Sequence, residues 1–482
     1  MSPPVEFARF REGVAGKVAN PTLQKALHKA LGLVRARSAD AMTDFSDPEG
    51  QKEQVCQVRR ASVGRLPDLL LQLESVLVDA GTTVLWAEDA AEVRRYVRDI
   101  AASHGCARGI LSKSMVGEEV DLEHELTQAG LSVIQTDLGE RVVQLAGEKP
   151  SHITAPCLHM TAAEVGQLLE RTEGMSYSDV PEDICRFLAQ RLRPEFLEAD
   201  LGVSGVNLAV ASTGHLVMVE NEGNVRMGYT LPDVHVALLG IERIVETWQQ
   251  ADHVLAVLPR MATGQRATSY LSLLGPSPLP GQTRYVIFVD NGRSRLARGG
   301  PFQDLLRCIR CGACMNVCPV YEKVGGHAYG WTYPGPIGIA MMPVMKPGLE
   351  ALHASYLCTL CGACLEVCPA KIPLDKLIVL GRNLSQKARP LRDYRRERKL
   401  FRWISWAFGG PRRFRWTHWW HRMAVKMSPK TVERMESRLG WGDARKAPRP
   451  ARILFRTRYV RTGSDAVSPH DGNDTSTPVG RP

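Results

Sequence analysis

The spacing of apolar positions changes character several times along the chain. After Pro21, the residues Leu23, Ala26, Leu27, Ala30 and Leu31 recur at helical intervals, with the proline near the first turn, where its missing N–H costs nothing. Residues 35–60 lack strong periodicity and read as helix plus connector. From about 66 to 300, short apolar runs alternate with amphipathic stretches. Residues 66–80 predict a helix with Leu69, Leu70, Leu73, Val76 and Leu77 on one face. The β-branched run 82–86 predicts a strand, and 90–103 the helix that follows it. Further strands are expected at 109–111, 131–134, 206–210, 216–219, 234–239 and 285–289, with helices at 121–129 and 241–250. Strands alternating with helices imply βαβ units, and so an α/β domain whose mainly parallel sheet is covered on both faces.

Past residue 300 the alternation stops and cysteines cluster as far as about residue 375. A basic, aromatic and partly helical stretch follows, and the last twenty or so residues are rich in Ser, Thr, Gly, Asp and Pro, a composition that favours disorder. The expected organisation is an N-terminal helical segment (1–65), an α/β domain (66–300), a mostly α metal-binding domain (301–380), a basic aromatic region (381–460) and a disordered tail (461–482).

Composition narrows the setting. The sequence has no uninterrupted apolar run of about 20 residues, so no transmembrane helix is expected. The first twenty residues hold Glu6, Arg9, Arg11, Glu12 and Lys17 and no apolar segment, unlike a secretory signal. A cytoplasmic location is expected. Charge is unevenly placed: residues 382–482 carry 25 Lys and Arg against 8 Asp and Glu, while the whole chain sums to +10. The body is therefore acidic, at −7, and the basic balance belongs to the tail.

Of twelve cysteines, Cys56, Cys106, Cys157 and Cys185 are scattered and read as ordinary buried thiols. The other eight form two runs, Cys308-Ile-Arg-Cys311-Gly-Ala-Cys314-Met-Asn-Val-Cys318-Pro319 and Cys358-Thr-Leu-Cys361-Gly-Ala-Cys364-Leu-Glu-Val-Cys368-Pro369. Both obey C-x₂-C-x₂-C-x₃-C-P, the bacterial ferredoxin spacing. Three closely spaced thiolates wrap one corner region of a cubane and leave one iron to be filled from elsewhere. In two-cluster ferredoxins the fourth cysteine of each run ligates the other cluster. One [4Fe–4S] cluster is thus assigned to Cys308, Cys311, Cys314 and Cys368, and a second to Cys318, Cys358, Cys361 and Cys364. Gly312 and Gly362 permit backbone conformations that bring amides toward the cluster sulfides. A zinc site needs four ligands, usually as separated C-x₂₋₄-C pairs, and has no use for this triple spacing twice. Two adjacent clusters favour electron transfer over a purely structural role.

Further stretches are more specific than the ferredoxin spacing: Val219-Glu-Asn-Glu-Gly-Asn224, Asp290-Asn-Gly-Arg293, Cys318-Pro-Val-Tyr-Glu-Lys-Val-Gly-Gly-His-Ala-Tyr-Gly-Trp331 and Cys368-Pro-Ala-Lys-Ile-Pro-Leu374. With these, residues 20 to 425 resemble the lactate-utilisation iron–sulfur protein B family. The resemblance implies a LUD domain, an α/β fold similar to sugar isomerases and CoA transferases. It also implies an electron-carrying subunit in the oxidation of L-lactate to pyruvate, with a cysteine-rich redox subunit and a smaller LUD-domain protein as partners. Two departures from the family pattern stand out. Relatives read A-E-T-G where this chain has Ala211-Ser-Thr-Gly214, and some carry Ser in place of Cys358.

Several weaker candidates remain. Glu220, Asn221, Glu222 and Asn224 are placed to form a polar pocket at the end of the 216–219 strand, or simply a turn held by its own Asn and Gly. Ser112-Lys113-Ser114 is a candidate anion site. His327 is either a cluster-tuning donor or a structural histidine. Between Arg382 and Arg422 lie thirteen basic and two acidic residues, with Trp403, Trp406, Trp416, Trp419 and Trp420. That composition suits partner docking or core packing first, then a peripheral contact with an anionic membrane near a quinone pool. No DNA-binding motif accompanies it, and no nucleic acid is expected. The competing functions are a redox adaptor for another 2-hydroxy-acid oxidation, and a chain that binds and oxidises the substrate itself. Against the latter, no G-x-G-x-x-G follows a strand and no flavin motif is evident. Catalytic residues are not assigned.

Overall fold

A computed structural model describes residues 5–386 and 391–427. Of these, residues 5–386 form one compact unit and 391–427 belong to a second. The disorder expected for 461–482, and the part of the basic region after residue 427, lie outside the described residues.

The first unit is built on two sheets. In chain order the strands are β1 (Thr83–Ala87), β2 (Arg108–Leu111), β3 (Ser132–Gln135), β4 (Leu201–Gly205), β5 (Leu208–Val210), β6 (His215–Glu220), β7 (Val234–Gly240), β8 (Ile244–Val245), β9 (Tyr270–Leu274) and β10 (Thr283–Val289). The larger sheet has the order β1-β10-β7-β4-β2-β3 and is parallel throughout. Every residue of β7 is buried, as expected of a central strand with both faces covered. One face packs Val286, Phe288 and Ala237 against Leu69, Leu73 and Leu77 of the helix Leu66–Asp79. The other packs Val203, Val236 and Ile287 against Val93, Val97 and Ile100 of the helix Ala90–Ser103, whose N-terminal amide is capped by Asp89.

The larger sheet is the mainly parallel one expected, and a smaller sheet, β8-β5-β6-β9, accompanies it. β6 is antiparallel to both β5 and β9, so the apolar run 216–219 belongs to a hairpin and not to a βαβ unit. Of the strand expected at 206–210 only Leu208–Val210 is strand, β5, and the preceding β4, which was not expected, ends at Gly205. The helix expected at 241–250 is instead a turn and β8, and the helix starts at Trp248, where Thr247 caps it.

The N-terminal segment is helical at Val5–Ala19, Pro21–Met42 and Pro48–Gly64. Leu23, Leu27 and Leu31 sit in one core with Tyr321, Val324, Tyr329, Ile337 and Leu374 of the cysteine-rich region. That region is made of short helices, among them Ala313–Asn316, Gly335–Met345, Ala363–Val367 and Leu374–Ser385. The second unit contains the helices Leu391–Phe408 and Pro411–Met427. Among the described residues no helix is long and apolar enough to cross a membrane.

Candidate iron–sulfur site

The two cysteine runs adopt the same local backbone. In the first, Arg310 (φ 58°) and Gly312 (φ 77°) are left-handed, and in the second Leu360 (φ 56°) and Gly362 (φ 84°) occupy the same places. For Arg310 and Leu360 this conformation is unfavourable, so the surrounding structure must impose it. It aims amides at sulfur: Arg310 N donates to Cys308 Sγ at 3.4 Å, and Leu360 N to Cys358 Sγ at 3.4 Å. The fourth cysteines are served likewise, Cys318 Sγ by Tyr321 N and Cys368 Sγ by Ile372 N, each at 3.5 Å. An arginine secures the first carbonyl of each run, Arg243 on Cys308 O at 3.2 Å and Arg382 on Cys358 O at 2.6 Å. The short helices after each Gly, Ala313–Asn316 and Ala363–Val367, pack on one another.

This packing brings the last cysteine of each run near the first three of the other. Burial raises the Cys314 pKa, and the thiols that push it further are Cys308, Cys311 and Cys368. Burial pushes Cys364 up to about 12, and its thiol neighbours are Cys318, Cys358 and Cys361. The eight thiols therefore gather as two sets of four, each completed by the other run. Thiols buried like Cys314 and Cys364 stay protonated on their own; a bound cation is what turns them into thiolates. Soft sulfur donors in fours, with amides pointing at the sulfurs, fit a [4Fe–4S] cluster.

The two sets differ in surroundings. The first lies against the α/β domain: Ile309, Cys311 and Ala313 share a core with Leu208, Val217 and Leu258. Around it runs a belt of buried arginine. Arg59 donates to Ile244 O (2.8 Å) and Leu306 O (3.0 Å), and Arg307 to Cys56 Sγ (3.2 Å). Arg293 binds Glu119 at 2.7 Å and Glu242 at 2.6 Å. Burial works against the Glu242 carboxylate, yet Arg293, Arg243 and Arg310 hold its pKa down to about 2. The second set is nearer the surface, with Cys361 exposed beside the exposed Leu360 and Leu365.

The other candidates separate clearly. Glu220 accepts from Val225 N (2.8 Å) and Arg226 N (3.2 Å), Asn221 pairs with Gln265, and Asn224 donates to Thr136 (3.3 Å). The loop is thus held by its own bonds, and it also lines a cavity with Glu222, Lys113 and Ser114. His327 bonds the Lys149 carbonyl (2.6 Å) and packs on His159, a structural role. The stretch at Ala211–Gly214 is the β5–β6 hairpin turn and does not line that cavity. Of the scattered thiols, Cys56 is buried as expected, whereas Cys106 and Cys157 are half-buried and Cys185 is exposed. Sequence reasoning missed Arg59, Arg243 and Arg310 at the first set, because nothing in their local sequence marks them out.

Comparison with known proteins decides the family. Residues 70–288 match the LUD domain and residues 304–372 the 4Fe-4S dicluster domain. Lactate utilization protein B of Bacillus pumilus (strain SAFR-032) is 34% identical over 481 residues, covering 96% of this chain and 99% of its own. The chain belongs to the lactate utilization protein B family. Lactate utilization protein B of Lysinibacillus sphaericus (strain C3-41) is 36% identical over 376 residues, 77% of this chain and 79% of its own. A relative from Escherichia coli (strain K12), the uncharacterized electron transport protein YkgF, is 34% identical over 402 residues, 82% of this chain and 84% of its own. Family membership accounts for the order of parts: a LUD α/β domain with an iron–sulfur domain after it.

Proposed function

We infer that this protein is the iron–sulfur electron-transfer subunit of a multi-protein system that oxidises L-lactate to pyruvate. The observation that carries the reading is the gathering of eight cysteine thiols from two ferredoxin-spaced runs in a chain whose relatives are lactate utilization proteins B. We assign one [4Fe–4S] cluster to Cys308, Cys311, Cys314 and Cys368 and another to Cys318, Cys358, Cys361 and Cys364. Bound there, such clusters accept and release single electrons. The polypeptide's own part is to exclude water from the first set and to direct Arg310, Tyr321, Leu360 and Ile372 amides at the thiolates. It also brings the second set close to the surface, where a partner can approach. In this reading residues 66–300 are the LUD domain and 301–380 the cluster domain, and the partners are a cysteine-rich redox subunit and a smaller LUD-domain protein.

The basic region supplies a second proposal, a peripheral contact with anionic lipid. In its two helices Trp403, Trp406, Trp416, Trp419 and Trp420 are exposed beside Arg402, Arg412, Arg413 and Arg415. Trp rings beside arginine suit the headgroup layer of a membrane.

The deciding experiment is anaerobic mixing of the loaded protein with L-lactate, with and without the two partners, followed by EPR. Reduction of the iron–sulfur signal only when partners are present is the expected result. Reduction by lactate in the isolated chain would favour direct substrate oxidation, and no reduction under either condition would remove lactate from the account.

A further inference from the structure

We propose that the cavity at the carboxyl end of the parallel sheet binds a small monocarboxylate, held by Lys113 and by the arginines that adjoin the first cysteine run. The choice of a 2-hydroxy or 2-oxo acid as that carboxylate rests on the lactate reading above. The cavity, about 260 Å³, is lined by residues that follow three parallel strands: Lys113 and Ser114 after β2, Val206 and Asn207 after β4, and Glu242 and Arg243 after β7. From β2 the chain winds outward to β3, then returns to β4 on the other side of β2 and continues through β7 to β10. The cavity therefore sits at the switch point of the sheet, where α/β folds bind ligands.

Its hydrogen-bonding balance points to an anion. Every lining carboxylate already accepts from the protein. Glu242 takes Arg293 (2.6 Å), Glu220 takes two amides, Glu222 takes Leu138 N (3.0 Å) and Asp137 takes Glu140 N (3.1 Å). The cations are less committed. Among the described residues Lys113 has no hydrogen bond or ion pair. Arg310, nine-tenths buried, stacks on Tyr333 at 4.1 Å, gives one N–H to the Met341 sulfur, approaches Glu242 only at 3.6 Å and leaves its Nε without a partner. Arg243 approaches Glu242 only at 3.5 Å and gives one N–H to Cys308 O. Unmet buried donors are costly, and an incoming carboxylate satisfies them.

Size and sign narrow the ligand further. The volume lies below the range of drug-sized sites and leaves no room for a dinucleotide. Asp137 on the same wall penalises a dianion such as phosphate more than a monoanion, while Ile153, Leu258 and Met115 offer apolar contact to a short carbon chain. Because both arginines line this cavity, and Arg310 lies within the first cysteine run while Arg243 bonds its first carbonyl, a bound carboxylate changes the charge felt at the first thiol set.

The test uses the full-length, iron-loaded protein under anaerobic conditions, titrated with oxamate, a redox-inert isostere of lactate and pyruvate. Calorimetry is expected to give one saturable site, weakened about tenfold or more in Lys113→Met. Oxamate is also expected to shift the EPR spectrum of the dithionite-reduced protein, and inorganic phosphate to compete poorly. Iron content of the variant establishes that it is folded. Absence of oxamate binding, equal affinity in Lys113→Met, or competition by phosphate equal to that of oxamate would each overturn the proposal. Partner-dependent reduction by lactate without oxamate binding would sink the cavity and leave the electron-transfer role standing; oxamate binding without any lactate-driven reduction would do the reverse.

Discussion

Arg293 is 1% exposed and joins Glu119 to Glu242, two carboxylates that have no access to water. Removing this buried cation takes from Glu119 its arginine and leaves Glu242 only the longer contacts with Arg243 and Arg310, so Arg293→Met should cost about 3–5 kcal/mol in urea unfolding; a midpoint near wild type would refute the network's importance. Glu118 behaves oppositely. Burial pushes its carboxyl up to about 7, with Glu123 and Asp121 adding to the effect and Lys149 opposing it. The folded state therefore holds that proton more tightly than the unfolded chain does. Stability from this group is full below about pH 4.5 and falls as pH rises through 7. Glu118→Gln should flatten that decline in thermal unfolding across pH 5 to 8, and an unchanged slope would count against it. At this scale the sequence revealed the eight cysteines, since their spacing is local. Arg243 and Arg310 were invisible as neighbours, because 66 intervening residues separate them and only the fold brings them to one cavity.

Helices and strands with strong periodicity were readable, and the failures have physical causes. β4 was missed because it reads Leu-Gly-Val-Ser-Gly, a poor strand by propensity. Its glycines are there for contact: a Cβ at Gly202 would collide with the Gly228 carbonyl, and one at Gly205 with Ser114. β9, Tyr-Leu-Ser-Leu-Leu, was missed because apolar residues fill both of its faces, which hides the period of two. At 241–250 the amphipathic spacing suggested a helix, yet Glu242 and Arg243 face the arginine belt and not solvent. The basic helices hold a prediction of their own. Replacing Trp403, Trp419 and Trp420 together with Ser should abolish co-sedimentation with vesicles rich in anionic phosphatidylglycerol while leaving iron content unchanged. Equal sedimentation of the variant, or none by the parent chain, would rule out the lipid contact.

For the molecule as a whole, the order of parts followed from sequence, while their interdependence did not. The N-terminal helices supply Leu23, Leu27 and Leu31 to the core of the cysteine-rich region, three hundred residues away. The LUD domain in turn walls the first thiol set, and the short helices of the two cysteine runs pack on one another. Arg310 of the first run lines the cavity, while Cys361 of the second run is exposed, a layout that suits passage of electrons through the protein. Iron and sulfide counts with dithionite-reduced EPR, on anaerobically purified wild type, Cys311→Ser and Cys318→Ser, test this most directly. The account predicts about eight irons in the wild type. Each variant should lose about half, with a different EPR signal surviving in each. Loss of the same signal from both variants, or a wild type holding only about four irons, would contradict the exchanged pair of clusters.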